Sequence, residues 1–382
     1  MKSSLTALFA GLALAGCAGS SSSPGAPAPK AMSAAKPTPD PRIGLKAGLR
    51  DAGEAAWNMR LLSNTPSPEK FASSTNSDLA FLGKYAIQGN YNGFQVWDIS
   101  NPRLPTLTKA FYCPASQSDV SVYKNLLFVS AEGRSARLDC GDAGVRDTVS
   151  TERILGIRIF DITDITNPKY ITNVQTCRGS HTHSVLVDPK DPANVYVYIS
   201  GSAGIRSPNE LPGCSRDVPE SDPNSALFRI EVIKVPLADP AKAAVVSSPR
   251  IFNDLKRPPE HGAAPEDLKA IEEAKAKGAF VAQVGSNNFV LPPQFTKPML
   301  DSIANARAGA TPTAADSAAL REALPAMVAR MVGGGNAALR ERGPTQCHDI
   351  TLYPGIGLAG GACEGYGLLL DIRNPTAPVR ID

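Results

Sequence analysis

Along residues 93–98, GFQVWD, β-forming side chains run unbroken into an aspartate, and Ile-Ser-Asn-Pro then stops the strand and turns the chain. The pattern returns as GIRIFDITDITNP at 156–168 and YGLLLDIRNP at 366–375. FRIEVIKVPLADP at 228–240 is a degenerate copy in which the aspartate is replaced. Asp98, Asp161 and Asp371 therefore each close a strand.

The surroundings of the motif repeat as well. SDVSVYKNLLFVS (118–130), HSVLVDPKDPANVYVYIS (183–200) and HDITLYPGIGLAGG (348–361) each read strand, turn, strand ahead of a motif copy. LPTLTKAFYC (104–113) and PKYITNVQTC (168–177) read as a further strand after it. Units of about four strands are the blades of a β-propeller. The pattern predicts an all-β chain of about four blades in an incomplete ring, because it ends at Val379–Asp382 while entering the outer strand of the fourth.

At about 253–345 the strand pattern gives way to helix signals. Pro265-Glu266-Asp267 opens one helix that ends by Gly278, and a second follows Thr296 and stops by Gly309. Thr313 and Asp316 form a capping box for a third, with a kink at Pro325 and an end at Gly333-Gly334-Gly335. This helical insertion precedes the last blade, as a lid on the axial channel or as a peripheral pad.

Ahead of the repeats, MKSSLTALFAGLALAGC carries Lys2, an apolar run over Leu5–Ala15 and a lipobox-like LAGC ending at Cys17. This reads as a lipoprotein signal peptide over 1–17, with Cys17 acylated and the membrane reached through lipid alone. Ala18 in place of aspartate fits sorting to the outer membrane. Residues 18–43 are Ser-, Pro- and Ala-rich and too poor in large apolar side chains to fold, so they form a tether ahead of a propeller domain at 44–382.

Composition changes this picture little. A net charge of +3 without a basic stripe argues against nucleic acid as a partner. The cysteines say more. Of seven, six follow Cys17, and they sit at matching places in successive blades. Position pairs them as Cys113–Cys140, Cys177–Cys214 and Cys347–Cys363, although six cysteines allow fifteen connectivities. Such disulfides fit export, and no CxxC spacing supports a thiolate zinc site. Asp139, Asp142, Asp147 and Glu152 in one long loop, and Asp217, Glu220 and Asp222 in another, lack calcium-loop spacing and read as solvated carboxylates.

First strands of propeller blades line the central axis, so equivalent positions converge there. Aligning the units superposes Asp119, His183 and His348, and His181 adds an imidazole two residues before His183. Three of the chain's four histidines thus form one axial cluster with Asp119, either a hydrogen-bonded plug or a site for a transition metal. Motifs of hydrolases, nucleotide-binding loops and zinc proteases (GxSxG, Walker sequence, GxGxxG, HExxH) do not occur.

NMRLLSN (58–64), NSDLAF (76–81), NYNGFQVWDISNP (90–102), TCRGSHTHS (176–184) and CHDIT (347–351) resemble the LVIVD-repeat family of bacterial surface proteins, over residues 58–382. The resemblance implies an exported β-propeller. Relatives continue with further blades, so it also implies that this chain is C-terminally truncated. Two classes of function remain: a lipid-anchored cell-envelope module that binds a protein or glycan, and a metal-dependent periplasmic or surface oxidase or lyase built on the axial histidines.

Overall fold

The computed structural model describes residues 35–48, 51–256, 258, 262–284, 287–307, 311–332 and 343–382. The expected signal peptide with Cys17, most of the expected tether and the helix end expected at Gly333–Gly335 lie outside the described residues. The chain divides into two units, Met1–Asn64 and Thr65–Asp382. The described part of the first holds turns and extended chain without helix or strand. In the second, a short helix α1 (Glu69–Ala72) precedes four antiparallel four-stranded sheets, each with its strands in chain order.

Blade 1 consists of β1 (Asn76–Leu82), β2 (Tyr85–Asn90), β3 (Gly93–Asp98) and β4 (Thr106–Tyr112). Blade 2 holds β5 (Val120–Tyr123), β6 (Leu126–Ala131), β7 (Gly156–Asp161) and β8 (Lys169–Gln175), and blade 3 holds β9 (His183–Leu186), β10 (Asn194–Ile199), β11 (Glu231–Pro236) and β12 (Ala244–Ser247). After the insertion, blade 4 holds β15 (Asp349–Tyr353), β16 (Leu358–Cys363), β17 (Tyr366–Asp371) and β18 (Val379–Arg380). The repeated motif is the third strand throughout.

Local chemistry explains its consensus. Gly93 and Gly156 start their strands at φ 131° and 148°, and a Cβ there would lie 2.1 Å from the Phe111 carbonyl oxygen and 2.0 Å from that of Val174. Only glycine admits so close a neighbouring strand. At the other end, Asp98, Asp161 and Asp371 accept the backbone N–H of Ser100, Thr163 and Arg373 at 2.9, 2.8 and 3.0 Å, turning the chain after the strand. In blade 3 Pro236 stands at this position, as its degenerate motif requires.

Residues alternating along one strand feed opposite seams, so the middle strands are apolar on both faces. Leu127 and Val129 of β6 pack with Ile87, Phe94 and Val96 of blade 1, whereas Leu126 and Phe128 pack with Val195, Val197 and Ile199 of blade 3. Tyr196, Tyr198 and Val232 meet Ile350, Ala359 and Leu370 at the third seam. The inner strands β1, β5, β9 and β15 lie side by side in chain order. Phe81 of β1 and Tyr353 of β15 remain 62% and 55% exposed, as expected of a four-blade arc that is not a closed ring.

The insertion corrects one expectation. Helices α2 (Pro265–Ala276), α3 (Pro293–Ala306) and α4 (Ala314–Val332) are present, but a hairpin of β13 (Phe280–Val284) and β14 (Asn287–Leu291) lies between the first two. Helix α3 starts at Pro293, so Thr296 is within it instead of ahead of it. The capping box forms: the Thr313 hydroxyl donates to Asp316 Oδ2 at 2.7 Å, and the Asp316 N–H donates back to Thr313 Oγ1 at 3.3 Å. Ala282, Leu320, Leu324 and Val328 are buried together, giving the insertion a core of its own.

Candidate functional site

All six cysteines after Cys17 are joined in the expected pairs, Cys113–Cys140, Cys177–Cys214 and Cys347–Cys363. The first two staple the long loops 131–155 and 201–226, which follow the second strands of blades 2 and 3. A buried ion triad joins the two loops. Glu210 accepts from Arg153 through Oε2 and pairs with Arg206 through Oε1 at 2.6 Å, and all three side chains are buried. The Ser150 N–H donates to Glu210 Oε2 at 3.1 Å, and Arg206 Nη1 donates to Gln175 at 2.6 Å. At the surface of the first loop, Arg137 holds Asp139 and Glu152 at 2.8 and 2.7 Å.

At the axis, strand pairing shifts one residue of the expected ring. Counted from the second-strand residues that face the motif turn (Leu126, Asn194 and Leu358), the fourth residue along is Ser130, Tyr198 or Ala362. Ser184 and Asp349 pair with Tyr198 and Ala362, and Asp119 lies opposite Ser130, whose N–H donates to the Asp119 carbonyl at 2.9 Å. Asp119 is therefore level with Ser184 and Asp349, whereas His183 and His348 share a level with Ser118. Alignment on residue type had placed Asp119 one step too far along.

These positions link each blade to the next. Ser77 donates through Oγ to the Ser118 carbonyl at 3.4 Å, Asp119 Oδ2 accepts the His183 N–H at 3.0 Å, and Ser184 donates to the Ile350 carbonyl. Thr182 adds a bond to the His348 carbonyl at 2.6 Å. The His183 ring is buried, with Nδ1 2.9 Å from Ser130 Oγ and 3.2 Å from Asp119 Oδ2. Its Nε2 finds no partner among the described residues.

Asp78, on β1, completes the chain, its carboxyl hydrogen-bonded to that of Asp119. Partial enclosure and then the neighbouring Asp119 carboxylate push Asp78 up to about 6. Burial raises Asp119 too, but the hydrogen bond and charge of His183 outweigh it and hold Asp119 below the usual carboxylate range. Below about pH 6 the pair therefore shares one proton, carried by Asp78 with Asp119 as the ionised member.

His181 and His348 form a separate group. Their ring centroids are 5.0 Å apart, and His181 Nδ1 lies 2.6 Å from Glu132 Oε1, whose Oε2 accepts from Ser202 at 2.5 Å. His181, His183, His348 and Asp119 thus stand in two groups. Among the described residues, no three His, Cys, Asp or Glu side chains are arranged to hold one metal ion. Asp78, Ser130 and Glu132 were missed from sequence. For Asp78 a signal existed, since Ser77-Asp78 stands where later units have Ser118-Asp119, His183-Ser184 and His348-Asp349.

The model of the LVIVD repeat family matches residues 75–112, which is blade 1 from its first strand to its last. No curated protein matches the chain.

Proposed function

From its standing as an LVIVD-repeat protein, we propose that this chain is an exported binding module, held at the cell envelope by lipid on Cys17 and recognising an envelope component. The observation that carries this reading is how the polar residues are used. The axial imidazoles and carboxylates serve blade-to-blade hydrogen bonds, while the long loops are held rigid by disulfides and a buried ion triad. Rigid, pre-ordered loops lower the entropic cost of recognition. Disulfides fit an oxidising compartment, and among the described residues no helix is long and apolar enough to cross a membrane.

The test separates anchoring from binding. Cells producing the full chain and its Cys17→Ala variant are fed a fatty-acid probe. The variant is expected to lose the label and, unlike the full chain, to be washed from the membrane fraction by high salt, yet still cosediment with isolated envelopes at low salt when added as purified protein. Unchanged labelling and partitioning would remove the anchor from the account, and a variant that stays in the supernatant would remove the binding module.

A further inference from the structure

The three seams between blades are not equivalent on the face that carries the motif turns. Between blades 1 and 2, Ile162 and Ile165 are 2% and 9% exposed and close the seam. Between blades 2 and 3, Leu237 takes the place of Ile162, as its N–H bond to the Ala193 carbonyl matches that of Ile162 to Asn125. Leu237 is only half-buried, and the chain then leaves through a short 3-10 turn at Pro240–Lys242. A groove of about 280 Å³ remains, lined by Tyr123, Lys124, Asn125, Leu126, Asp161, Ile171, Leu237 and Pro240.

The β-turn beside this groove differs from its counterpart in blade 1. There the turn is Gly83-Lys84, with Gly83 at φ 56° and Lys84 paired to Asp98 at 2.7 Å. In blade 2 the turn is Lys124-Asn125. Asn125 satisfies Asp161 at 3.2 Å in the role of Lys84, and Lys124 occupies the glycine position at φ 53°. A lysine in the left-handed region is strained where glycine is not. Its ammonium lies 5.1 Å from the Tyr123 ring centroid and has no ion-pair partner among the described residues. An unpaired cation held in a strained conformation at a groove is the kind of local cost that marks a binding position.

We infer that this groove binds an anionic saccharide, its carboxylate on Lys124. The proposal rests on the binding-module reading and supplies its ligand class. Leu126, Ile171, Leu237 and Pro240 line it with apolar side chains, Asn125 and Tyr123 add polar and aromatic surface, and the Asp161 carboxylate is held by Asn125 and Thr163, which leaves Lys124 as the charge open to a ligand. A sugar ring has this division, C–H groups on one face and hydroxyls around its edge. The volume is close to the lower end of ligand sites, roughly 300 Å³, which suits a short saccharide segment.

Titration calorimetry with a glucuronate-containing tetrasaccharide, its carboxyl-reduced neutral form and a short polyglutamate tests the assignment on the full chain. The acidic tetrasaccharide is expected to bind, and the other two at least about tenfold more weakly. Lys124→Gly, which restores the blade 1 turn, is expected to lose about tenfold in affinity without lowering the melting temperature, so misfolding does not explain the loss. Leu237→Trp fills the groove without changing charge and is expected to weaken binding as much, while Lys84→Ala leaves it unchanged. Equal binding of polyglutamate, full affinity in Lys124→Gly or Leu237→Trp, or no binding of the acidic tetrasaccharide overturns the proposal. If the Cys17→Ala protein still cosediments with envelopes in that case, the binding module stands and the groove alone is refuted.

Discussion

Replacing Glu210 with alanine is expected to destabilise the chain by about 3–5 kcal/mol, the usual cost of leaving a buried charge without its partner. Among the described residues Glu210 is the carboxylate paired with both Arg153 and Arg206, and the three side chains are 0%, 3% and 3% exposed. Burial already pulls Arg206 below its ordinary value, so the loss of its counter-ion falls on a guanidinium that is poorly solvated. Arg153 would keep backbone acceptors at Arg134 and Thr148, and Arg206 would keep Gln175. Those bonds orient the guanidinium groups without neutralising them. Asp139→Ala provides the contrast, because Asp139 is 61% exposed in its pair with Arg137 and solvent screens such pairs, so its removal is expected to change stability little. Denaturant unfolding with disulfides intact measures both, and hydrogen exchange should show loops 131–155 and 201–226 losing protection together. A cost below about 1 kcal/mol for Glu210→Ala would mean that the triad does not hold the loops.

Asp119→Ala is expected to cost about 3 kcal/mol, since it removes the acceptor of the buried His183 N–H and one of the two partners of Nδ1. The more specific outcome concerns Asp78. Its carboxyl, now pushed up to about 6, should return toward the ordinary range in Asp119→Asn, as resolved by carboxyl NMR titration. The signs of the two groups differ. Asp78 is raised in the folded state, so its contribution to stability is complete below its unfolded value and is lost as pH rises from about 4 through about 6. Asp119 is lowered, so its contribution is present above the unfolded value and is lost as pH falls through its folded value. Wild type should therefore show a pH-dependent decline in the first interval that is smaller in Asp119→Asn, where the burial of Asp78 remains but the neighbouring charge is gone. An Asp78 midpoint that ignores the substitution would contradict the shared proton.

The blades were legible because their determinants are local. Alternation, an aspartate that turns the chain on itself and a glycine that admits the next strand all operate within about twenty residues. The disulfides were legible for the same reason, since each pair occupies matching positions of one unit. Register at the axis was less accessible. It is fixed by pairing with the second strand, and matching His183 to Asp119 by prominence concealed the better match of Ser184 to Asp119. The hairpin in the insertion was overlooked for a different cause. Phe280 and Ala282, then Phe289 and Leu291, turn alternate residues toward the small core, but the segment is short and flanked by strong helix signals. Nor could sequence separate Lys124 from Lys84: each is a turn lysine next to a tyrosine, and only the turn geometry pairs one and leaves the other.

The axial residues hold the blades together, and the recognition proposed above is assigned to the surface. Metal content separates this from the alternative, which places a transition metal on His181, His183 and His348 with Asp119 nearby. Full chain purified without chelators or metal-affinity resin, then exposed to excess zinc and desalted, is expected to carry much less than one ion per chain, and His183→Ala is expected to leave that content unchanged while lowering stability. One tightly held ion per chain, lost in His183→Ala, would contradict the account and put metal chemistry at the propeller axis.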